Sequence, residues 1–220
     1  METSEAYRTV RERMIDLANR ADPATAVAAC PEWTVRELLA HVTGVAADVV
    51  AGRLDGAGTD PWVEAQVDAR AARSLPEIGA EWAEIGPQVD DVCAALGDGI
   101  AQLIFDTVCH EHDLRQALGQ PGGRDAPLDI ALRWVSDAWA GQPVRMGSLR
   151  LVTGAVDVTR GEGAPTATLT LEPFEALRAL TGRRSPDQMR AYQWDGDPEP
   201  WMDAFTWGPF VPRVEPLAED

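Results

Sequence analysis

The apolar residues of this chain change their spacing near residue 145, and this change limits the folds that the chain can adopt. Before residue 145 they recur every three or four positions, as Leu38, Val42 and Val45 do, which is the pattern of a helix with one buried face. After residue 145, short runs such as 149–153 and 166–171 alternate or contain β-branched residues, which is the pattern of strands. A helical region followed by a mixed region indicates an α+β protein.

The order of these patterns predicts two domains. Residues 1–144 are expected to form an up-down helical bundle, because short loops join long amphipathic helices there. Residues 145–220 are expected to form a small α+β domain. Its predicted elements are strands at 149–153, 156–159, 166–171 and 189–194, and a short helix at 173–180.

The best-marked helix of the predicted bundle begins after Thr34. Thr34 and Glu37 form a capping box, and Trp33 and Leu38 occupy the positions of a hydrophobic staple around it. This helix is expected to end near Arg53. The other predicted helices cover residues 4–20, 62–96 with a break at 74–77, a segment after Gly99 that ends at 118, and 127–140.

Composition argues against several classes of function. The formal net charge of −17 disfavours nucleic acids and anionic membrane surfaces as partners, because both attract basic proteins. We see no apolar run that approaches the ~20 residues needed to span a bilayer, and no signal-peptide pattern at the N-terminus. The three cysteines are odd in number and far apart, which indicates reduced thiols. We therefore expect a soluble, cytoplasmic protein.

Two of the three histidines lie in one helical stretch, Asp106–Arg115. Asp106 and His110 are four residues apart, so both point to the same side of a helix. Leu103 and Leu114 flank this side and indicate that it faces inward. A divalent metal would explain a buried carboxylate beside an imidazole, because it offsets desolvation of the carboxylate and uses the imidazole lone pair. A surface pair or a hydrogen-bonded core histidine is the alternative.

His41 completes a candidate set of ligands. It lies one turn after Leu38, beside an apolar stripe, so we expect it to be partly buried and to face the interior of the bundle. With Asp106 and His110 it would leave coordination positions open, as catalytic zinc sites do. Zn²⁺ is the first candidate, and Ni²⁺, Mn²⁺ and Fe²⁺ also accept mixed nitrogen and oxygen ligands. Asp113 lies on the same stripe and is either an acceptor that orients an imidazole or a surface carboxylate.

Other reactive groups have simpler interpretations. Cys109 could be a thiolate ligand, but a small buried residue is the better interpretation, and His112 is interpreted as structural or exposed. The chain has no Gly-x-Ser-x-Gly motif of a nucleophilic serine, and Gly122-Gly123 lacks the Lys and Ser/Thr of a phosphate loop.

The segment from Cys30 to Gly44, CPEWTVRELLAHVTG, resembles the second-helix motif of the actinobacterial mycothiol-dependent maleylpyruvate isomerase family. That family lies in the DinB-like superfamily. The segment from Val108 to Gly119 resembles its third-helix motif, and residues 174–183 resemble its C-terminal domain, which is related to sterol carrier proteins. The resemblance implies a DinB-like helical bundle followed by a small sterol-carrier-like α+β domain.

In that family a His of the second helix and a Glu-x-x-x-His pair of the third helix hold a metal. The resemblance therefore implies His41, Asp106 and His110 as the ligands. Asp106 stands where the family usually has Glu, so its shorter side chain must approach the metal more closely. The family also places an Arg of the second domain near its active site. Arg183 is the candidate for this position, with Arg184 as the alternative.

The function implied by the resemblance is mycothiol-dependent isomerisation, or transfer of the thiol, on a small electrophile. The substrate is expected to be acidic, because Arg183 could bind a carboxylate through two parallel hydrogen bonds. A non-catalytic bundle that binds a metal or a small molecule is the alternative function. A lipid carrier would need a deep apolar cavity in the second domain, for which about 75 residues leave little room. A monomer and a homodimer are both compatible with the sequence.

Overall fold

The computed structural model describes residues 1–145 and 147–219 and divides them into two compact units. The N-terminal unit contains Met1–Pro127 together with Glu219, and the C-terminal unit contains Leu128–Ala218. The first is helical and the second combines a small mixed sheet with helices, which confirms the predicted α+β class.

Five α-helices build the N-terminal unit, joined by short loops or turns except for the long loop at residues 19–34. α1 packs against α4 and α5, whereas α2 packs against α3, α4 and α5. A 3₁₀ turn separates α4 from α5. The helices are α1 (Thr3–Ala18), α2 (Val35–Ala51), α3 (Asp60–Asp68), α4 (Leu75–Leu96) and α5 (Ala101–Leu118).

Local capping interactions determine where α2 and α4 begin. The Glu37 carboxylate accepts hydrogen bonds from the Thr34 main-chain N–H at 2.6 Å and from its hydroxyl at 2.7 Å. These hydrogen bonds lower the pKa of Glu37, because they favour the ionised carboxylate. Ser74 and Glu77 repeat the arrangement before α4, at 2.8 and 2.6 Å. The start of α2 therefore confirms the sequence prediction, and α4 begins within the break predicted at 74–77.

Large apolar and aromatic side chains fill the interior of the N-terminal unit. Each such side chain contributes about 1.5–3 kcal/mol when it is withdrawn from water. Tyr7 of α1 and Trp82 of α4 are fully buried, and the Trp82 indole N–H donates to the Tyr7 hydroxyl at 2.8 Å. The pair joins two helices and satisfies both polar groups.

The segment Leu75–Leu118, which comprises α4, the 3₁₀ turn and α5, is long and apolar enough to cross a membrane by length and composition alone. The sequence pattern did not predict this. Core helices of water-soluble proteins pass the same test, and α4 and α5 supply buried residues such as Trp82 and Val108 to the bundle. The segment is therefore weak evidence for a membrane span.

The C-terminal unit is organised around a four-stranded sheet with the order β2-β1-β3-β4. β1 pairs antiparallel with β2 and parallel with β3, and β3 pairs antiparallel with β4. The unit also contains three α-helices and a 3₁₀ helix at Glu199–Phe205. Its elements are α6 (Ala126–Ala140), β1 (Ser148–Val152), β2 (Asp157–Gly161), β3 (Ala167–Thr170), α7 (Pro173–Leu180), α8 (Pro186–Arg190) and β4 (Gln193–Asp195).

Two features of the C-terminal unit differ from the sequence analysis. The strand predicted at 189–194 is wrong in its first half, because Ser185 caps the short helix α8 and the strand begins only at Gln193. In the structure, the boundary between the two units lies between Pro127 and Leu128, whereas the predicted domain boundary lies at 144/145. Most of α6 belongs to the C-terminal unit because the buried Trp139 stacks on Phe205 there.

Candidate metal centre

Two neighbouring helices bring the three predicted ligands together. His41 projects from α2, while Asp106 and His110 lie one turn apart on α5. Both histidines are buried, and Asp106 is partly exposed. The inward orientation predicted for the Asp106/His110 face is therefore found.

The two imidazoles converge on one carboxylate. His110 Nε2 lies 3.6 Å from Asp106 Oδ1, and His41 Nε2 lies 4.0 Å from Asp106 Oδ2. One ligand atom from each residue lies within 4.8 Å of the other two. Tetrahedral metal–ligand distances of about 2.0–2.1 Å place ligand atoms about 3.3–3.4 Å apart, so a small contraction would form a site.

Hydrogen bonds to Nδ1 orient both imidazoles. His41 Nδ1 lies 2.9 Å from Gln66 Oε1, and His110 Nδ1 lies 3.2 Å from Asp113 Oδ2. An amide oxygen and a carboxylate are acceptors, so each Nδ1 carries the proton and each Nε2 keeps its lone pair. Metal-binding histidines are oriented by acceptors of this kind. The donor set therefore fits a divalent metal.

Gln66 is itself held by its other amide atom and by the backbone of α2. Its Nε2 donates to Asp48 Oδ2 at 2.9 Å. Gly44 faces it from α2, where an added Cβ would lie only 2.4 Å from Gln66 Cβ. A residue without a side chain is needed at position 44, because any other would push α3 away and with it the acceptor for His41.

A second group of potential ligands shares His110. Cys30 Sγ donates to Asp113 Oδ2 at 3.4 Å, so Asp113 accepts from a thiol and an imidazole together. One ligand atom from each of Cys30, His110 and Asp113 also lies within 4.8 Å of the other two. Because the three are already hydrogen-bonded, we interpret this group as the support of His110.

Trp33 closes one side of the centre. Its ring centroid lies 4.9 Å from that of His41 and 5.7 Å from that of His110. A cavity of about 330 Å³ opens beside Trp33 and His110. The cavity is also lined by three carboxylate residues, Glu32, Asp60 and Glu64. Among the described residues, no Arg lines it. The cavity is aromatic on one side and acidic on another.

A buried ion-pair network lies next to His110 on α5. Glu111 is fully buried, and its carboxylate pairs with Arg13 at 2.9 Å and Arg115 at 2.8 Å. Burial raises the pKa of Glu111, and the two guanidinium groups oppose that shift. His112, which follows, is also buried, so its structural interpretation is supported and an exposed position is wrong.

The remaining candidates have contacts of their own. Cys109 is buried, as interpreted, and all three cysteines are free thiols. In the C-terminal unit, Arg183 donates from Nη1 to the Thr181 carbonyl at 2.7 Å. Arg184 makes two hydrogen bonds of 2.8 Å with the Glu175 carboxylate, which occupies its guanidinium. The role of Arg183 in a reaction stays a prediction.

Sequence reasoning missed Gln66, Asp48 and the contact of Trp33 with the imidazoles. Gln66 is the buried residue of a short helix in which the apolar pattern is weak, so nothing in the sequence marks it. Trp33 did carry a signal, because it precedes the best-marked helix start, but the staple interpretation pointed to packing alone.

Residues 4–110, which include all three candidate ligands, match the family model of the mycothiol maleylpyruvate isomerase N-terminal domain. A crystal structure of a histidine-to-alanine mutant of the mycothiol-dependent maleylpyruvate isomerase has a similar fold, with a TM-score of 0.58 and 13% sequence identity over 82% of this chain and 88% of that chain. No curated protein sequence matches the chain. The predicted family resemblance is confirmed.

Proposed function

Since residues 4–110 belong to the family of mycothiol maleylpyruvate isomerase N-terminal domains, we propose that this protein is a metal-dependent enzyme that uses mycothiol. Its reaction is the isomerisation of a small electrophile, or transfer of the thiol to it. Family membership supports mycothiol-dependent isomerase chemistry in general terms. The convergence of both Nε2 atoms on Asp106 is the observation that carries the metal-dependent part.

His41, Asp106 and His110 would hold the divalent metal, with Zn²⁺ as the first candidate and Ni²⁺, Mn²⁺ or Fe²⁺ as alternatives. When bound, the metal would supply a positive charge that lowers the pKa of a coordinated thiol and so favours the nucleophilic thiolate. Two nitrogen ligands and one oxygen ligand leave room for that thiol.

The protein's own residues determine which nitrogen of each imidazole carries the proton. Gln66 and Asp113 keep both Nδ1 atoms protonated, so both Nε2 lone pairs face the centre. The imidazole rings therefore already have the orientation that a metal requires, and only the small contraction of the ligand atoms remains.

Trp33 and the cavity determine what can approach. The indole covers one side of both imidazoles and limits access of water to them. The carboxylates that line the cavity would repel an acidic substrate unless a cation is supplied. We propose, from the family resemblance, that Arg183 binds the carboxylate of such a substrate. The thiolate would add to the electrophilic carbon and form a C–S bond. In isomerisation, the adduct would rearrange and the C–S bond would then break, which releases the isomer and returns the thiol; in transfer, the adduct would take up a proton and leave as the conjugate.

Metal content and thiol binding test this function together. Untagged wild-type protein should contain near-stoichiometric metal by mass spectrometry, whereas His41→Ala and Asp106→Ala should not. His112→Gln is the matched control, because it removes a histidine of α5 that lies outside the ligand set. Calorimetric titration with a mycothiol analogue should show binding to the metal-loaded protein and none to the metal-free protein.

Each outcome has a defined meaning. Protein that takes up no metal would overturn the proposal. Metal without thiol binding would replace it with the non-catalytic, metal-binding alternative. If thiol binding is found, a screen of small electrophiles for thiol-dependent isomers and conjugates would identify the reaction. We propose a cytoplasmic monomer or homodimer that acts on small molecules, without nucleic-acid or membrane partners.

A further inference from the structure

The C-terminal unit contains a cavity of about 710 Å³ that the proposed function does not use. It lies between the end of α6, strand β2 and the 3₁₀ helix at Glu199–Phe205. Binding sites for small molecules usually measure about 300–1,000 Å³. Its described lining includes apolar and cationic groups together with one carboxylate, that of Asp203: the others are Pro143, Val144, Arg145, Arg160, Trp201 and Trp207.

Arg160 is the unusual group in this lining. Its residue is only 6% exposed, and it projects from the same face of the sheet as its pairing partner Leu149. Its guanidinium donates to the carbonyls of Gln142 at 3.3 Å and Pro143 at 2.9 Å, and to that of Ala204. A buried cation on the inner face of a sheet requires compensation for lost hydration.

The carbonyl groups provide only part of that compensation. In residues 1–145 and 147–219, the partners of Arg160 are main-chain carbonyls and the Trp139 ring, and none is a carboxylate. Each of these hydrogen bonds uses a different nitrogen, so one N–H on each of Nη1 and Nη2 has no acceptor in that part of the chain. Burial lowers the pKa of Arg160, yet a guanidinium remains charged at neutral pH. A full positive charge therefore faces the cavity.

The walls indicate what kind of anion would be accepted. Trp201 and Trp207 are largely buried, and the Trp207 indole N–H is already satisfied by the Leu180 carbonyl at 3.0 Å. These walls therefore favour an apolar or aromatic body. Arg145 lies at the rim, 93% exposed, and pairs only loosely with the exposed Asp203 at 3.9 Å. It could add a second positive charge.

We propose that this cavity binds a small organic carboxylate with an aromatic or apolar body, and that Arg160 pairs with the carboxylate. The net charge of −17 repels anions in general. Binding would therefore depend on the local contacts with Arg160 and the two tryptophans. The competing explanation is that Arg160 only ties three carbonyls together and that the cavity holds solvent.

Benzoate, its neutral isostere benzamide and inorganic phosphate separate these explanations. Titrations of the full-length protein would be followed through the indole N–H signals of Trp201 and Trp207 by NMR. Benzoate should bind saturably, and benzamide about 10- to 100-fold more weakly, since a hydrogen-bonded charge is lost. Equal affinity for benzoate and benzamide, or no response to benzoate, would overturn the proposal. Phosphate that binds as tightly as benzoate would overturn the apolar part of it.

Two variants locate the site. Arg160→Gln should weaken benzoate binding about 10- to 100-fold. Val144→Trp, at a half-buried position of the wall, should fill the cavity and abolish benzoate binding while Arg160 stays in place. If Arg160→Gln does not fold, Val144→Trp alone decides whether benzoate binds in this cavity. Benzoate binding that survives in Val144→Trp would contradict the assignment. His41→Ala should bind benzoate like the wild type, so failure of the metal-dependent function would leave this result unaffected.

Discussion

Replacement of Gln66 by Met tests how the metal centre is prepared. Gln66 is only 4% exposed, and its Oε1 is the acceptor for His41 Nδ1 at 2.9 Å. Methionine is similar in size and shape but offers no comparable acceptor. Gln66→Met would therefore leave the buried Nδ1–H of His41 unsatisfied, at a cost of about 1–3 kcal/mol.

The imidazole can avoid this cost by carrying its proton on Nε2 instead. That tautomer directs an N–H at the metal position, and metal binding must then reverse it. Loss of an acceptor that orients a ligand lowers metal affinity about 10- to 100-fold, which corresponds to about 1.4–2.7 kcal/mol. We expect Gln66→Met to bind Zn²⁺ more weakly by this amount and His41→Ala to lose binding altogether.

The assay is a competition titration of the metal-free, full-length protein against a chromophoric zinc chelator. Asp48→Asn is the matched control, because an amide oxygen can still accept from Gln66 Nε2, and its affinity should stay close to that of the wild type. Histidine nitrogen NMR shifts of the metal-free protein would report the tautomer directly. Wild-type affinity in Gln66→Met, with His41 in the Nδ1–H form, would refute the reasoning.

Three further results are expected from single substitutions. Gly44→Ala places a Cβ 2.4 Å from Gln66 Cβ, so urea unfolding should show a loss of about 1–3 kcal/mol together with weaker Zn²⁺ binding; an unchanged protein would contradict the close packing. Glu37→Gln keeps the capping geometry but removes a carboxylate whose pKa is lowered by folding. The wild type should lose this stabilisation as the pH falls through the folded pKa of Glu37, and the variant should not. If the free energies of urea unfolding of both proteins change with pH in the same way, the prediction is refuted. Gly182 has φ +77°, and an added Cβ would lie 2.5 Å from a carbonyl oxygen. Gly182→Ala should therefore destabilise the protein by about 1–3 kcal/mol and lower its thermal midpoint by several degrees. An unchanged midpoint would argue against this strain.

Local rules were sufficient to predict much of the fold. The capping box of Thr34 and Glu37 fixes the start of α2 through hydrogen bonds between residues three apart. The four-residue spacing of Asp106 and His110 places both on one side of α5, whatever surrounds it. In the C-terminal unit, the change of period identified three of the four strands to within about two residues. The fourth was shortened by the cap at Ser185, a signal that was present in the sequence but not used.

The sequence by itself determined which residues could be ligands, because helix periodicity and the few histidines leave little choice. Only the tertiary structure decided that His41 and His110 meet at Asp106, and that Gln66 and Trp33 complete their surroundings. The physical reason is the range of the interactions. Helix starts and shared faces depend on neighbours within one turn, whereas the acceptor for His41 depends on how closely two helices pack, and that distance is set by every side chain between them.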